Sequence, residues 1–304
     1  EVMPVAVQRA RRRFLGFGGA LALSACASLP GASGDGAPPA RASGIADVNG
    51  TRLWYESAGS GEPVVLLHAF TLDSRMWDAQ FDALARTHRV IRYDARGFGR
   101  SEVPQAGQAY AHHEDLAALL DRLGVQRPHL VGHAMGGRFA LDYAASYPGR
   151  ARSLTLIDTV VAGWPWSKAF LDGYAPVIAA GRRRDVVAAR SAWLAHPVFA
   201  PAREQPAVMA RIETMVREYS GWHFVNTDPA RAVSPPTLNQ LASVRVPAVV
   251  VVGERDLADF RHMSERVARD LRARQIGVRN AGHFAPLESP AETTAAIMGM
   301  VAGA

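Results

Sequence analysis

The sequence predicts an α/β fold with a parallel central sheet. Continuous apolar runs such as Val64–Leu67 and Ala248–Val252 suit strands buried on both faces, and Leu154-Thr155-Leu156-Ile157 reads as a further strand. Between them apolar residues recur at helical spacing, as in Met76, Trp77, Phe81, Leu84 and Ala85. Strand, helix and next strand in alternation imply right-handed crossovers and parallel pairing. From about 161 to 236 the strand rhythm stops and only helical patterns occur.

Length and composition bound the reading. At 304 residues the chain has sequence for one α/β domain of ordinary size with insertions. Hydrophobic residues at 48% and charged ones at 20% fit a globular body after the N-terminus. Half of the formal net charge of +6 sits in residues 1–26, where Arg9, Arg11, Arg12 and Arg13 face Glu1 alone. Lys168 is the only lysine, and basic residues are not interleaved with aromatic ones, so nucleic acid is not expected as a partner. The single cysteine excludes an internal disulfide and any Cys-based zinc site.

Residues 1–26 read as an address. Arg11-Arg12-Arg13-Phe14-Leu15 resembles the twin-arginine export motif, and the apolar run to Ala25 is shorter than the ~20 residues that span a bilayer. Leu23-Ser24-Ala25-Cys26 resembles a bacterial lipobox, whose cysteine is lipidated and becomes the mature N-terminus. An exported lipoprotein, anchored to a membrane on its periplasmic or extracytoplasmic face, is therefore expected. Residues 27–43 are a Gly/Pro/Ser/Ala linker to a folded domain over 44–304.

Within that domain, Val48-Asn49-Gly50 and Leu53-Trp54-Tyr55 predict a hairpin around an Asn-Gly turn. The strand Val64–Leu67 runs into His68-Ala69-Phe70, and Val90–Tyr93 forms the next strand before Asp94-Ala95-Arg96-Gly97-Phe98-Gly99-Arg100-Ser101. A helix carrying Leu116, Leu119, Leu120 and Leu123 begins near His112-His113-Glu114-Asp115, where the acids suit its N-terminal dipole. Adjacent histidines point to different sides of a helix, so no metal is expected there. Pro128 to Gly137 is a strand turning sharply into a helix that continues through Phe139, Leu141 and Tyr143. The insertion shows helical stretches near 169–180, 183–195 and 205–220, and it carries Trp164, Trp166, Trp193 and Trp222. After Ala248–Val252 come a helix from Phe260 to Leu271 and a strand from Gln275 to Val278.

Five stretches, in order, carry a resemblance. They are His68-Ala69-Phe70, Asp94 to Ser101, Gly132-His133-Ala134-Met135-Gly136, Gly253-Glu254-Arg255-Asp256, and Asn280-Ala281-Gly282-His283-Phe284. Together they resemble the α/β-hydrolase fold superfamily over residues 45–302. Leu72-Asp73-Ser74-Arg75-Met76-Trp77 is most similar to bacterial members grouped with enol-lactonases and proline iminopeptidase-like hydrolases. The resemblance implies a mostly parallel eight-stranded sheet flanked by helices, with residues 161–236 as a helical cap over the substrate pocket. It places residue 134 at the nucleophile of Gly-x-Ser-x-Gly, Asp256 as the acid with Asp158 behind it, and His283 as the base. The backbone N–H groups of Phe70 and Met135 would form the oxyanion hole, and His133, Trp164 and Trp166 would line the pocket. Asp94 and Arg96 are expected to be structural.

At the nucleophile position stands Ala134, which has no lone pair to attack a carbonyl. Four readings stay open: an ester or lactone hydrolase lineage with a variant at 134, a pseudo-enzyme that binds a small ligand, a cofactor-free enzyme using His283 and Asp256 as a base, or His283 activating water directly. No cofactor or metal is implied, and a small molecule is the expected partner besides the membrane. The N-terminal motifs generate one prediction. Intact-mass analysis of protein from a bacterial membrane fraction should give an acylated Cys26 as first residue, and a soluble species retaining residues 1–25 would refute it.

Overall fold

The computed structural model describes residues 39–304. The expected export signal, Cys26 and the linker up to residue 38 lie outside the described residues.

Eight strands form one sheet: β1 (Arg41–Val48), β2 (Thr51–Ala58), β3 (Pro63–Leu67), β4 (Arg89–Tyr93), β5 (His129–His133), β6 (Ser153–Ile157), β7 (Ala248–Gly253) and β8 (Arg274–Val278). Their order is β1-β2-β4-β3-β5-β6-β7-β8. The first hairpin is antiparallel, β2 joins β4 antiparallel, and every later pair is parallel. Asn49 and Gly50 both take positive φ (47° and 68°), the geometry a tight two-residue hairpin requires. β1 begins at Arg41, three residues inside the stretch expected to be linker. Pairing of Arg41, Ala42 and Ser43 with Ala58, Ser57 and Glu56 supplies the backbone partners that make it strand.

The helices follow the apolar periodicity. They are α1 (Asp78–Leu84), α2 (His112–Arg122), α3 (Met135–Ser146), α4 (Lys168–Arg182), α5 (Val186–Ala195), α6 (Ala200–Arg203), α7 (Pro206–Glu218), α8 (Trp222–Val225), α9 (Ala258–Leu271), α10 (Ala285–Glu288) and α11 (Pro290–Ala302). The central strands β3, β5 and β6 are buried on both faces because helices flank the sheet, α2 packing with α3 and α1 with α11.

Helices α4 to α8 make the cap, and the polar contacts that fasten it to the body include three hydrogen-bonded points. Ser167, which also caps α4, gives its N–H and hydroxyl to the two oxygens of Asp259 at 2.8 and 2.6 Å. The Trp193 indole N–H donates to Thr71 Oγ1 at 2.8 Å. At the cap's exit the Thr237 hydroxyl donates to Asp142 on α3.

The body closes tightly where α3 meets the end of β3. A Cβ on Gly136 would lie 2.2 Å from the Leu67 carbonyl oxygen and 2.8 Å from that of His68, both rigid backbone. Gly299, exposed in α11, has open space around it. Gly136→Ala should therefore destabilise by about 3 kcal/mol or more by overpacking. Gly299→Ala should stabilise by about 0.5–1 kcal/mol through helix propensity. Thermal melts of the two variants check both signs.

Candidate active site

β5 ends at His133, and the chain reverses direction at Ala134 before α3. Ala134 holds φ 49° and ψ −109°, a conformation L-residues rarely adopt. Neighbours on both sides impose it: Ala134 N–H donates to Ile157 O at 2.9 Å, while its carbonyl accepts from Val160 N–H at 3.0 Å and Arg138 N–H at 3.1 Å. The turn presents the Ala134 methyl to a cavity of about 350 Å³.

That cavity brings together most of the residues singled out in the sequence. Ala69, Phe70, Ala134, Met135 and His283 line it, with Trp166, Phe170, Leu171, Tyr174 and Trp193 of the cap, and Phe260 and Phe284 from the body. Among the described residues neither the Phe70 nor the Met135 N–H meets an acceptor. Two free N–H donors beside one strained turn are what a developing oxyanion needs.

The turn carrying Phe70 is held by a residue whose part in it no motif revealed. His68 Nδ1–H donates to Ala69 O at 2.8 Å, and Nε2 accepts Ala95 N–H at 2.9 Å, which ties the ends of β3 and β4 together. Asp94 and Arg96 are structural as expected. Asp94 accepts the Ser74 and Arg100 N–H groups at 2.9 Å each, and Arg96 makes a buried two-point pair with Asp115 at 2.9 and 2.7 Å.

His283 follows β8, and Asp256 follows β7. His283 Nδ1–H donates to Asp256 Oδ2 at 2.9 Å, and the other Asp256 oxygen accepts Leu257 N–H at 2.6 Å. This fixes the tautomer and leaves His283 Nε2 as a bare acceptor. Burial lowers the His283 pKa to about 3, so the imidazole is neutral at pH 7.

Asp158, at the end of β6, lies against Asp256. One of its oxygens accepts Gly253 N–H at 2.8 Å, and the other meets no further donor. Burial first, and the Asp256 carboxyl second, push Asp158 well above the usual carboxylate range. Two buried carboxyls in contact do not both ionise. The proton sits on Asp158, which has a single N–H partner, and its O–H serves Asp256, which already accepts two donors. Burial raises Asp256 as well, but the Leu257 N–H and the Asp158 O–H oppose that shift, which leaves the charge of the pair on Asp256 beside His283.

Two expected pocket residues lie elsewhere. His133 is fully buried beneath the turn and donates Nε2–H to the His283 carbonyl at 2.5 Å, so it supports the His283 loop and is not in the wall of this cavity. Trp164 is not in this wall either: the turn at Gly163 (φ 93°) is closed by Trp164 N–H to Val161 O and leaves the indole against the core. Trp166, two residues on, stacks on Phe170 at 4.0 Å in the cavity wall.

Known proteins share this arrangement of strands. The family described as the alpha/beta hydrolase fold matches residues 62–290. A protein assigned as a carbamate hydrolase in Azorhizobium caulinodans is 30% identical over 227 residues, 72% of this chain and 83% of that protein. The 3-oxoadipate enol-lactonase 1 of Acinetobacter baylyi is 25% identical across 75% of this chain and 84% of its own. The crystal structure of the enol-lactonase from Burkholderia xenovorans LB400 superposes with a TM-score of 0.70 at 26% identity, covering 85% of this chain and all of that one. With its eight-stranded sheet, flanking helices and a family match over most of its length, the chain belongs to the α/β-hydrolase fold family.

Proposed function

We propose that the cavity is an ester- or lactone-hydrolase site in which Ala134 occupies the nucleophile position. The observation that carries this reading is the convergence on the Ala134 methyl of a neutral, Asp-oriented imidazole and two unpartnered backbone N–H groups. A bound ester carbonyl would take hydrogen bonds from Phe70 and Met135. With a serine at 134, His283 Nε2 would remove the hydroxyl proton during attack, and Asp256 would stabilise the imidazolium that forms. As the chain stands, the carbonyl is bound and polarised but no acyl-enzyme forms. The lactonase and hydrolase names among its relatives support acyl chemistry as the lineage. We further propose that residues 11–26 export and lipid-anchor this domain, on the strength of their motifs alone.

The native chain should show no covalent labelling by a fluorophosphonate probe. Ala134→Ser should gain hydrolysis of short p-nitrophenyl esters by at least ~10³-fold, part of the ~10⁶ lost when a triad serine is removed. His283→Ala should abolish that gain. An Ala134→Ser protein that melts like the parent yet hydrolyses nothing sinks the hydrolytic reading.

The pH profile of the Ala134→Ser variant tests the proton placement. The base form of His283 is the neutral one, and burial lowers its pKa, so the active window extends downward. The acid limb of kcat/KM should fall below pH 6 rather than at the ordinary imidazole value of ~6.5. Asp158→Asn keeps a donor toward Asp256 and should retain most activity with the same limb. Asp158→Leu removes the donor and should cost about tenfold. Equal losses in the two variants would mean that Asp158 serves packing alone.

A further inference from the structure

A second cavity, of about 320 Å³, opens on the other side of the oxyanion turn. It shares Phe70, Met135 and Val160 with the first, so these three residues form a wall common to the two chambers. Their walls differ in kind. The first is aromatic and aliphatic apart from His283, whereas the second carries Arg138, Arg231, Asp142, Asp228 and His223.

His223 is the informative member. Its side chain is 9% exposed, and its ring stacks on Phe98 at 4.5 Å. Tyr219 Oη accepts the His223 backbone N–H at 2.8 Å and donates its proton to Nδ1 at 2.7 Å. That leaves the ring proton on Nε2, a buried donor with no partner. The nearest acid, Asp228 Oδ2, stands 3.7 Å away, beyond hydrogen-bond range. Burial lowers the His223 pKa to about 4, so the ring offers an N–H and no charge at pH 7.

The charges in this wall balance, two guanidiniums against two carboxylates, and each is partly used. Arg138 Nε reaches Asp142 at 3.3 Å, Arg231 pairs with Glu114 at 2.8 Å, and Asp228 Oδ1 accepts from Tyr110 and the Ala230 N–H. A free anion would meet the carboxylates and a free cation the guanidiniums. A neutral group with several hydroxyls or an amide satisfies the unpartnered His223 N–H and the spare Arg138 donors without a charge penalty.

We propose that the second chamber is a subsite for an uncharged, hydroxyl- or amide-bearing end of the substrate, held by His223 Nε2–H and Arg138, while an apolar end fills the aromatic chamber. The substrate class is then an ester with one apolar and one polar, neutral arm. This rests on the acyl-hydrolase reading for the carbonyl at the turn between the chambers.

The test is binding to the native Ala134 chain, followed by tryptophan fluorescence below micellar concentrations, so that no turnover is needed. The probes are 2,3-dihydroxypropyl octanoate, its deoxy isostere propyl octanoate, and the anionic 2-carboxyethyl octanoate. His223→Phe keeps the ring stack and removes the donor, and Arg138→Met changes a more exposed side chain. Each should weaken the dihydroxypropyl ester about tenfold and leave propyl octanoate within twofold. Indifference of the dihydroxypropyl ester to Arg138→Met and to folded His223→Phe overturns the subsite, even where Ala134→Ser hydrolyses p-nitrophenyl esters. Tighter binding of the carboxyethyl ester overturns the neutral assignment. The expected pattern in a chain whose Ala134→Ser variant stays inert would uphold the subsite and remove only the hydrolytic reading.

Discussion

The site depends on one close approach of backbone to backbone, the first turn of α3 against the end of β3. Gly136 lies so near the Leu67 and His68 carbonyls that no side chain fits between them. That approach sets Met135, the first residue of α3, beside the loop that carries Phe70. It also forces the reversal at Ala134, because the chain leaves β5 in the sheet and must enter a helix lying almost on it. The two free N–H groups, the reversal at Ala134 and the start of the helix are thus one packing event rather than three separate features.

Glycines and buried strands were the legible part, because their reasons are local. A Gly-x-Ala-x-Gly turn after an apolar run has few structural solutions, and runs such as Val249-Val250-Val251-Val252 admit little but a central strand. Asp256 and His283 were legible through their order along the chain. Side-chain direction at strand ends was not. His133 directs its ring to the carbonyl of His283, 150 residues on, and no periodicity encodes that partner. Trp164 and Trp166 are the same residue type two positions apart, and the turn at Gly163 separates their fates. His112 and His113, read as the start of a helix, do begin α2 and also line the second cavity. The His223 donor left no trace in the sequence, since Tyr219 and Phe98 make it what it is.

Electrostatics at the centre rests on a count of protons. Asp158, Asp256 and Glu288 are all buried, and none forms an ion pair with Arg or Lys among the described residues. Unpaired buried anions cost several kcal/mol each, so the cluster must spread its charge over hydrogen bonds or hold protons. Glu288 takes the Gly282 and Phe284 N–H groups at 2.8 and 2.9 Å, which braces the His283 loop from behind. Asp158 takes a proton. The negative charge that remains on Asp256 has the imidazole as its one side-chain counterpart of variable charge, so a proton arriving at His283 Nε2 is stabilised at once.

The strain at Ala134 bears on what an alanine there means. A positive φ on a residue with a Cβ costs of order 1–3 kcal/mol, and it persists only where surroundings over-determine it. Here they do: hydrogen bonds from Ala134 reach Ile157 on one side and Val160 and Arg138 on the other. None of these bonds involves a side chain at 134. The conformation therefore belongs to the scaffold and not to the residue that occupies it. An alanine at this position leaves the turn, the two N–H donors and the oriented imidazole where they stand. Cβ still points into the cavity, and one oxygen on it would lie among those groups. On the reading proposed above, the chain would be separated from a hydrolytic site by an atom rather than by a fold, and holding a carbonyl would not depend on that atom.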